Sequence, residues 1–369
     1  MNPFYMINTI AIYEAKTLMR GWFFRIFAIA SLLYFGFFDF FALASFQNMD
    51  WEIKAIAGNI PYFNLLFLNT VQAVIAIFLA SDFLKRDRKD DTTEVVYMRS
   101  MTNLGYVLGK TLGTLGVFLV INVAVLLVAA VFTLTISDVP FVWQAYLWDL
   151  LLISVPTLVF ILGLSFFMMS LVRNQAVTSV VMLGYVITSM IFLGEKFHNL
   201  LDYIGYHIPF TYSDFGGFAD LRSILIHRGA YFLLGVSFIL FTSLLLKRLP
   251  QSRVSQALVG ILATLSLASG VFLGYLFLHE QDSGTRFRTM MTDLANEHVG
   301  QKTITPLDYE LDLSHLGHSL AVDANCRYRN ANATPLKSFV LNLNPGLIVD
   351  EVKDSSGPLE FSRKLQVLS

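Results

Sequence analysis

The chain has 369 residues, 55% of them apolar and only 14% charged, with 33 phenylalanines and a mean hydropathy of +0.60. That balance excludes an ordinary soluble globular domain and marks a polytopic membrane protein. A net charge of −1 leaves no basic field for nucleic acid, and the single cysteine, Cys326, excludes an internal disulfide.

Taken in chain order, residues 1–20 carry Glu14, Lys16 and Arg20 and do not read as a secretion signal. Instead, residues 7–20 predict an amphipathic helix lying on the inner membrane surface, with Ile7, Ile10, Ala11, Ala15 and Leu18 on one side. Glu14 falls on that apolar side and breaks the pattern. A bilayer crossing needs roughly 20 apolar residues. Seven stretches qualify, at 22–45, 62–80, 111–134, 148–170, 176–194, 229–246 and 255–278. Asp39 lies in the first, and Asn64, Asn69 and Gln72 mark the second; there is no ladder of acids and histidines of the kind proton-coupled carriers often have.

Between the second and third stretches lies a charged island, Asp82 to Lys110, dense in both signs. Its basic residues Lys85, Arg86, Arg88, Lys89 and Arg99 predict a cytoplasmic loop. Such a short, charged loop suits docking to a soluble partner. Gly105-Tyr-Val-Leu-Gly109-Lys110-Thr111 resembles a phosphate-binding loop, but Leu104 stands where the first glycine belongs and no strand precedes it. Gly105, Gly109 and Gly113 recur every fourth residue and predict a helix-packing face, as do Gly270 and Gly274 in the seventh stretch.

Residues 195–228 form a long aromatic connector containing Tyr203, Tyr206, Phe210 and Tyr212, expected to lie in the outer interface as a structural connector or as a lid over an exit path. Counted up to the end of the seventh stretch, in the loops and segments around the spans, basic residues cluster at Lys16, Arg20, Arg25, the island, Arg173, Lys247, Arg248 and Arg253. Opposite them stand only Lys54, Lys196, Arg222 and Arg228. This asymmetry predicts a cytoplasmic N-terminus and, after seven crossings, an extracytoplasmic C-terminus.

After residue 278 the pattern changes. A polar linker is expected over 279–304, with a short helix near 287–297, followed by β-structure over 305–369. Leu320, Val322 and Ala324 alternate as a half-buried strand requires. A last strand over 359–368 would end the chain on an open edge, so a continuation beyond Ser369 is expected. His279-Glu280 lacks the second histidine of a zinc-peptidase helix, and His315 and His318 flank Gly317 at a turn, so no metal or catalytic residue is assigned.

Leu84-Lys85-Arg86-Asp87-Arg88, then Thr93-Glu94 and Tyr106-Val-Leu-Gly109-Lys110, resemble type-2 ABC transporter permeases, most strongly the bacterial branch fused to a zinc aminopeptidase. The tail is similar to the first β-sandwich of aminopeptidase N-type enzymes, through Tyr309-Glu-Leu-Asp-Leu313, Leu320-Ala-Val322 and Leu341-Asn-Leu343-Asn-Pro345-Gly346-Leu347. The resemblance implies a permease domain over 22–278 in a bacterial inner membrane, dimeric, and driven by a cytoplasmic ATPase that binds the ATP. It implies that Arg86, Asp87, Arg88, Thr93, Glu94 and Lys110 face that ATPase. A typical permease half has six spans; the seventh here would carry the chain out to its β-module. No peptidase motif falls within the chain. The rival readings are the membrane anchor of an extracytoplasmic zinc aminopeptidase and a membrane scaffold or sensor.

Overall fold

The computed structural model describes residues 3–44, 56–81, 102–214, 216–246, 252–316 and 319–369. It divides into two compact units, Met1–His279 and Glu280–Ser369. Seven described helices are long and apolar enough to cross a membrane.

The first unit opens with α1 (Pro3–Arg20), which ends where Gly21 adopts an extended backbone, before α2 (Trp22–Leu43) begins. Arg25 Nε donates to the Met19 carbonyl at 3.0 Å, supplying one of the donors that a helix end lacks. The remaining helices are α3 (Asn59–Ser81), α4 (Asn103–Thr135), α5 (Trp143–Asp149), α6 (Val155–Val172), α7 (Gln175–Thr188), α8 (Leu221–Leu245) and α9 (Arg253–Glu297).

Capping residues explain where the boundaries depart from the expected ones. Thr102 accepts a hydrogen bond from the Gly105 amide and starts α4 eight residues before 111 (111 − 103). Asp220 does the same for Ser223, so α8 begins at Leu221 rather than 229. Arg228, expected in an outer loop, therefore stands inside a helix. Asn174 Oδ1 caps α7 through the Ala176 and Val177 amides, and Arg173 takes a left-handed φ of 56°, which closes the tight hairpin between α6 and α7.

A π-helical turn, Leu150–Ser154, joins α5 to α6, and a second, Ser189–Leu193, follows α7. The first has a local cause. Pro156 has no amide hydrogen, so the Leu152 carbonyl four residues back loses its helical donor, and the proline ring crowds that carbonyl. The tightest helix crossing joins α6 to α8 at Gly163 and Gly235. A Cβ on Gly235 would meet the Phe160 backbone at 2.7 Å, so the two backbones touch only because both positions are glycine. Ser237 Oγ and Ser266 Oγ, donating to the Ala263 and Leu233 carbonyls at 3.0 and 2.8 Å, tie α8 to α9.

In the second unit, α9 runs without interruption through the expected linker as far as Glu297. The β-structure consists of small antiparallel sheets. After β1 (Tyr212–Ser213) and β2 (Gly217–Phe218) of the first unit, β3 (Thr305–Leu316) and β4 (Ser319–Arg329) form one long hairpin, and two-residue strands make one three-stranded and one two-stranded sheet. The expected last strand folds instead into a hairpin, Arg363–Lys364 against Val367–Leu368, turning at Leu365 with φ 52°. In the long hairpin, Leu311 pairs with Ala324 and Leu313 with Val322. All the side chains of β3 are exposed, so the alternation is present but its apolar face is uncovered.

Candidate functional site: a polar belt and two clasps inside the helix bundle

The bundle interior holds polar side chains drawn from five helices. Asn69 on α3 donates to Asn122 Oδ1 on α4 at 3.1 Å and to Ser154 Oγ in the π-turn at 2.9 Å. Ser154 Oγ in turn donates to Asn122 Oδ1 at 3.0 Å, and Asn122 Nδ2 donates to Gln72 Oε1 at 2.8 Å. All four side chains are fully buried. Asn64, on another face of α3, gives its Nδ2 to both carboxyl oxygens of Asp39 on α2, at 2.8 and 2.9 Å. Asp149, the last residue of α5, is fully buried, and neither of its oxygens has a hydrogen-bond partner among the described residues.

Arg228 forms the first clasp. It is 1% exposed, and its guanidinium donates to the Leu152 carbonyl at 2.7 Å, the Ile153 carbonyl at 3.2 Å, the Tyr203 carbonyl at 2.8 Å and Thr157 Oγ1 at 2.6 Å. It thereby replaces the donor that Pro156 withholds from Leu152. Hydrogen bonds from a charged donor contribute about 1.5–3 kcal/mol each. The same side chain pins the π-turn, α6 and the aromatic connector together. Asp202 lies within electrostatic reach of it, held by the Gly205 and His207 amides at 2.9 and 2.7 Å.

That connector is folded against the bundle. Tyr203 and Phe210 are fully buried; the Tyr203 ring sits 6.1 Å from Phe160 and 5.8 Å from Tyr185. Burial pushes the Tyr203 hydroxyl above its ordinary range, with the neighbouring Tyr185 and Asp202 adding to the effect. These two rings therefore face protein rather than solvent. Tyr206 is exposed and Tyr212 is half-buried. The Tyr231 hydroxyl and His227 Nε2 hold the Leu200 and Asn199 carbonyls of the same connector, at 2.8 and 3.2 Å.

The second clasp joins α1 to α4. A Cβ on Gly109 would meet Ile10 at 2.7 Å, and one on Gly113 would meet the Ala11 carbonyl at 2.5 Å, so α1 lies directly on the glycine face. Glu14, the residue that broke the apolar pattern, points into this contact. Its carboxylate is 3.8 Å from Lys110 Nζ, and both side chains are buried. Lys110, expected on a partner-facing surface, is instead sealed beneath α1, its amine 5.2 Å from the Tyr106 ring centre. Gly270 packs on Leu234 and the Ala230 carbonyl of α8, whereas Gly274 meets Leu200 only at ordinary contact distance.

Arg86, Asp87, Arg88, Thr93 and Glu94 lie outside the described residues. Sequence reasoning found Asp39, Asn64, Asn69 and Gln72 but missed Asp149, Arg228 and His227. The signal was present for the first, an acid one residue inside the fourth apolar stretch. Arg228 sat one residue outside the sixth and was counted with the loops. Comparison with models of known protein families and with curated proteins finds no match for the chain.

Proposed function

We propose that this chain is the membrane-spanning permease subunit of an ATP-driven exporter in a bacterial inner membrane. It is dimeric, with a cytoplasmic N-terminus and an extracytoplasmic C-terminus, and couples to a separate cytoplasmic ATPase through residues 85–103. The observation that carries this reading is the α1–α4 clasp. Because α1 is locked onto the glycine face of α4 and the charged segment runs directly into α4, a push on either is delivered to one helix. Asn122, farther along α4, connects that helix to α3 and the π-turn through the polar belt. ATP-driven closure of the partner would rock α4 against the belt and release cargo near the connector.

The exposed apolar face of β3–β4 supports a further role for the second unit: it offers a β-layer that a partner can cover. That face also keeps the scaffold reading in play, in which the β-unit binds a partner.

The test is to purify the chain from its native membrane in mild detergent and identify co-purifying proteins, together with the double substitution Arg86→Glu, Arg88→Glu. The expected result is a stoichiometric ATPase bearing a phosphate-binding loop, whose stimulation by the permease falls at least about tenfold in the variant, as for the loss of close interfacial charge pairs. Undiminished coupling in the variant would sink the assignment of this loop. Absence of any ATPase from a preparation that retains other complexes would sink the permease reading itself.

A further inference from the structure

Two carboxyls inside the bundle are left with hydrogen-bonding needs that the described side chains do not fully meet. Asp149 is 0% exposed and neither oxygen has a hydrogen-bond partner among the described residues. Asp39 is 1% exposed and, among the described residues, receives only the Asn64 amide nitrogen, while the Asn64 Oδ1 beside it is buried without a described donor. The two sites lie on different helices and fail in the same direction: each has acceptors in excess and a donor missing.

The described charged and titratable groups around them do not supply it. Tyr62 on α3 and Tyr146 on α5 lie within electrostatic reach of Asp149, and Tyr146 also of Asp39, yet the Tyr146 hydroxyl is engaged with Thr133 at 3.1 Å. On α8, Arg228 spends its donors on three carbonyls and Thr157, and its electrostatic partners are Asp202 and Tyr231. His227 faces the Asn199 carbonyl and the rings of Tyr231 and Phe277. On α4, Lys110 sits with Glu14. An isolated carboxylate in such surroundings costs several kcal/mol, so it persists only with a cation beside it or a proton on it. A hard metal ion needs about six oxygen ligands. Among the described residues no group of three or more histidine, cysteine, aspartate or glutamate residues that could hold a metal exists, so such an ion would have to draw its other ligands from carbonyl, amide and hydroxyl oxygens.

We propose that Asp39 and Asp149 are proton-binding sites of the helix bundle, each carrying its proton while the bundle is closed. At Asp39 the proton also resolves the orphaned amide oxygen. The acid O–H donates to Asn64 Oδ1 while the Asn64 N–H donates to the other carboxyl oxygen, a mutual acid–amide pair reached by a small rotation. At Asp149 the proton removes the charge. The balance is simple: a proton is taken from water as the bundle closes around the carboxyl and returned to water when the bundle opens. Any opening that wets Asp149 therefore releases a proton, and the conformational equilibrium depends on pH. This goes beyond the permease reading and does not rest on it.

The test uses the full chain in lipid nanodiscs, examined by infrared difference spectroscopy from about pH 5 to about pH 9, a range that starts above the ordinary carboxyl values. The expected result at neutral pH is a protonated-carboxyl C=O band that weakens in Asp39→Asn and in Asp149→Asn and weakens further in the double variant. A band unchanged in the double variant, or no band in the wild type, overturns the proposal. So does a band that disappears on adding sodium at fixed pH, which would assign the sites to an alkali ion. Wild-type thermal unfolding provides a second readout that needs no variant. A bundle that holds more protons folded than unfolded loses stability as pH rises, by up to about tenfold in the unfolding constant per pH unit for each site. Stability that is flat or rising over that range overturns the proposal regardless of how the variants fold.

Discussion

Arg228 and Asp149 are both sealed inside the same bundle and both border the π-turn between α5 and α6, yet their surroundings are opposite. The arginine meets three carbonyls and a hydroxyl. The aspartate meets no hydrogen-bond partner at all among the described residues. The asymmetry originates in the backbone. A π-turn followed by proline exposes carbonyl oxygens, which are acceptors, so it accommodates a buried cation and has nothing to offer a buried anion. Arginine keeps its charge at such a site because its donors match the local surplus of acceptors. An aspartate there finds no matching donor among the described residues.

The sharpest way to break this comparison is Arg228→Met, which preserves bulk but strands the Leu152, Ile153 and Tyr203 carbonyls and the Thr157 hydroxyl. The expected loss is about 3–5 kcal/mol, the scale for breaking a buried charge network, read as a lowered melting temperature in detergent. Arg228→Lys should recover only part of it, because one ammonium cannot span four acceptors. A methionine variant as stable as the wild type would mean that the clasp is not what holds the π-turn.

A smaller effect is expected at the other clasp. Gly113→Leu drives a side chain into the Ala11 carbonyl and Glu14. Overpacking of this kind costs about 1–3 kcal/mol. Because α1 is the lighter partner, it should lift from α4 and become accessible to protease while the rest of the bundle stays folded. Unchanged proteolysis of residues 3–20 would show that the glycine face is dispensable.

The smallest effect sharpens the comparison from outside the bundle. Asp354 is an exposed carboxylate whose Oδ1 accepts from the Ser356 amide at 2.8 Å, the Ser356 hydroxyl and the Gly357 amide at 3.1 Å. These donors, the Ser356 hydroxyl foremost, hold its carboxyl below the usual value of 3.8. A lowered folded-state value stabilises the turn above the ordinary carboxyl range, and that contribution is lost as pH falls through the lowered value. Amide shifts of Ser356 and Gly357 should therefore titrate below 3.8; titration at or above it would remove the donors from the account. Asp354, exposed and held by three donors, thus contrasts with Asp149, which is buried with no donor among the described residues.

Much of the fold was legible in the residues. Seven helices could be read because crossing a membrane is a matter of length and apolar content, and neither depends on neighbours. The boundaries slipped where a single capping side chain, Thr102 or Asp220, carried a helix past the apolar run. The site was legible only in part. Asn64, Asn69 and Gln72 stand out as polar residues in a hydrophobic segment, but nothing in the chain says that Asn69 meets Asn122 and Ser154 while Asn64 meets Asp39. Lys110 read as a partner-facing charge, and Glu14 as a break in an apolar face, until α1 was laid on the glycine face. Tyr203 and Phe210 read as interfacial aromatics because composition cannot distinguish a ring at a headgroup from a ring in a core.

What the sequence determined by itself was local: the apolar runs, the caps, the proline that forces the π-turn, and the glycine spacing that permits close contact. Each depends on residues a few positions apart, where backbone sterics and hydrogen-bond geometry act directly. Tertiary structure alone decided which donor reached which acceptor. Arg228 lies more than seventy residues from the carbonyls it serves at Leu152 and Ile153 (228 − 152 = 76). Asp149 is left without a donor by the same packing that gives Arg228 its four acceptors, because side chains of fixed reach find partners only after the helices have assembled.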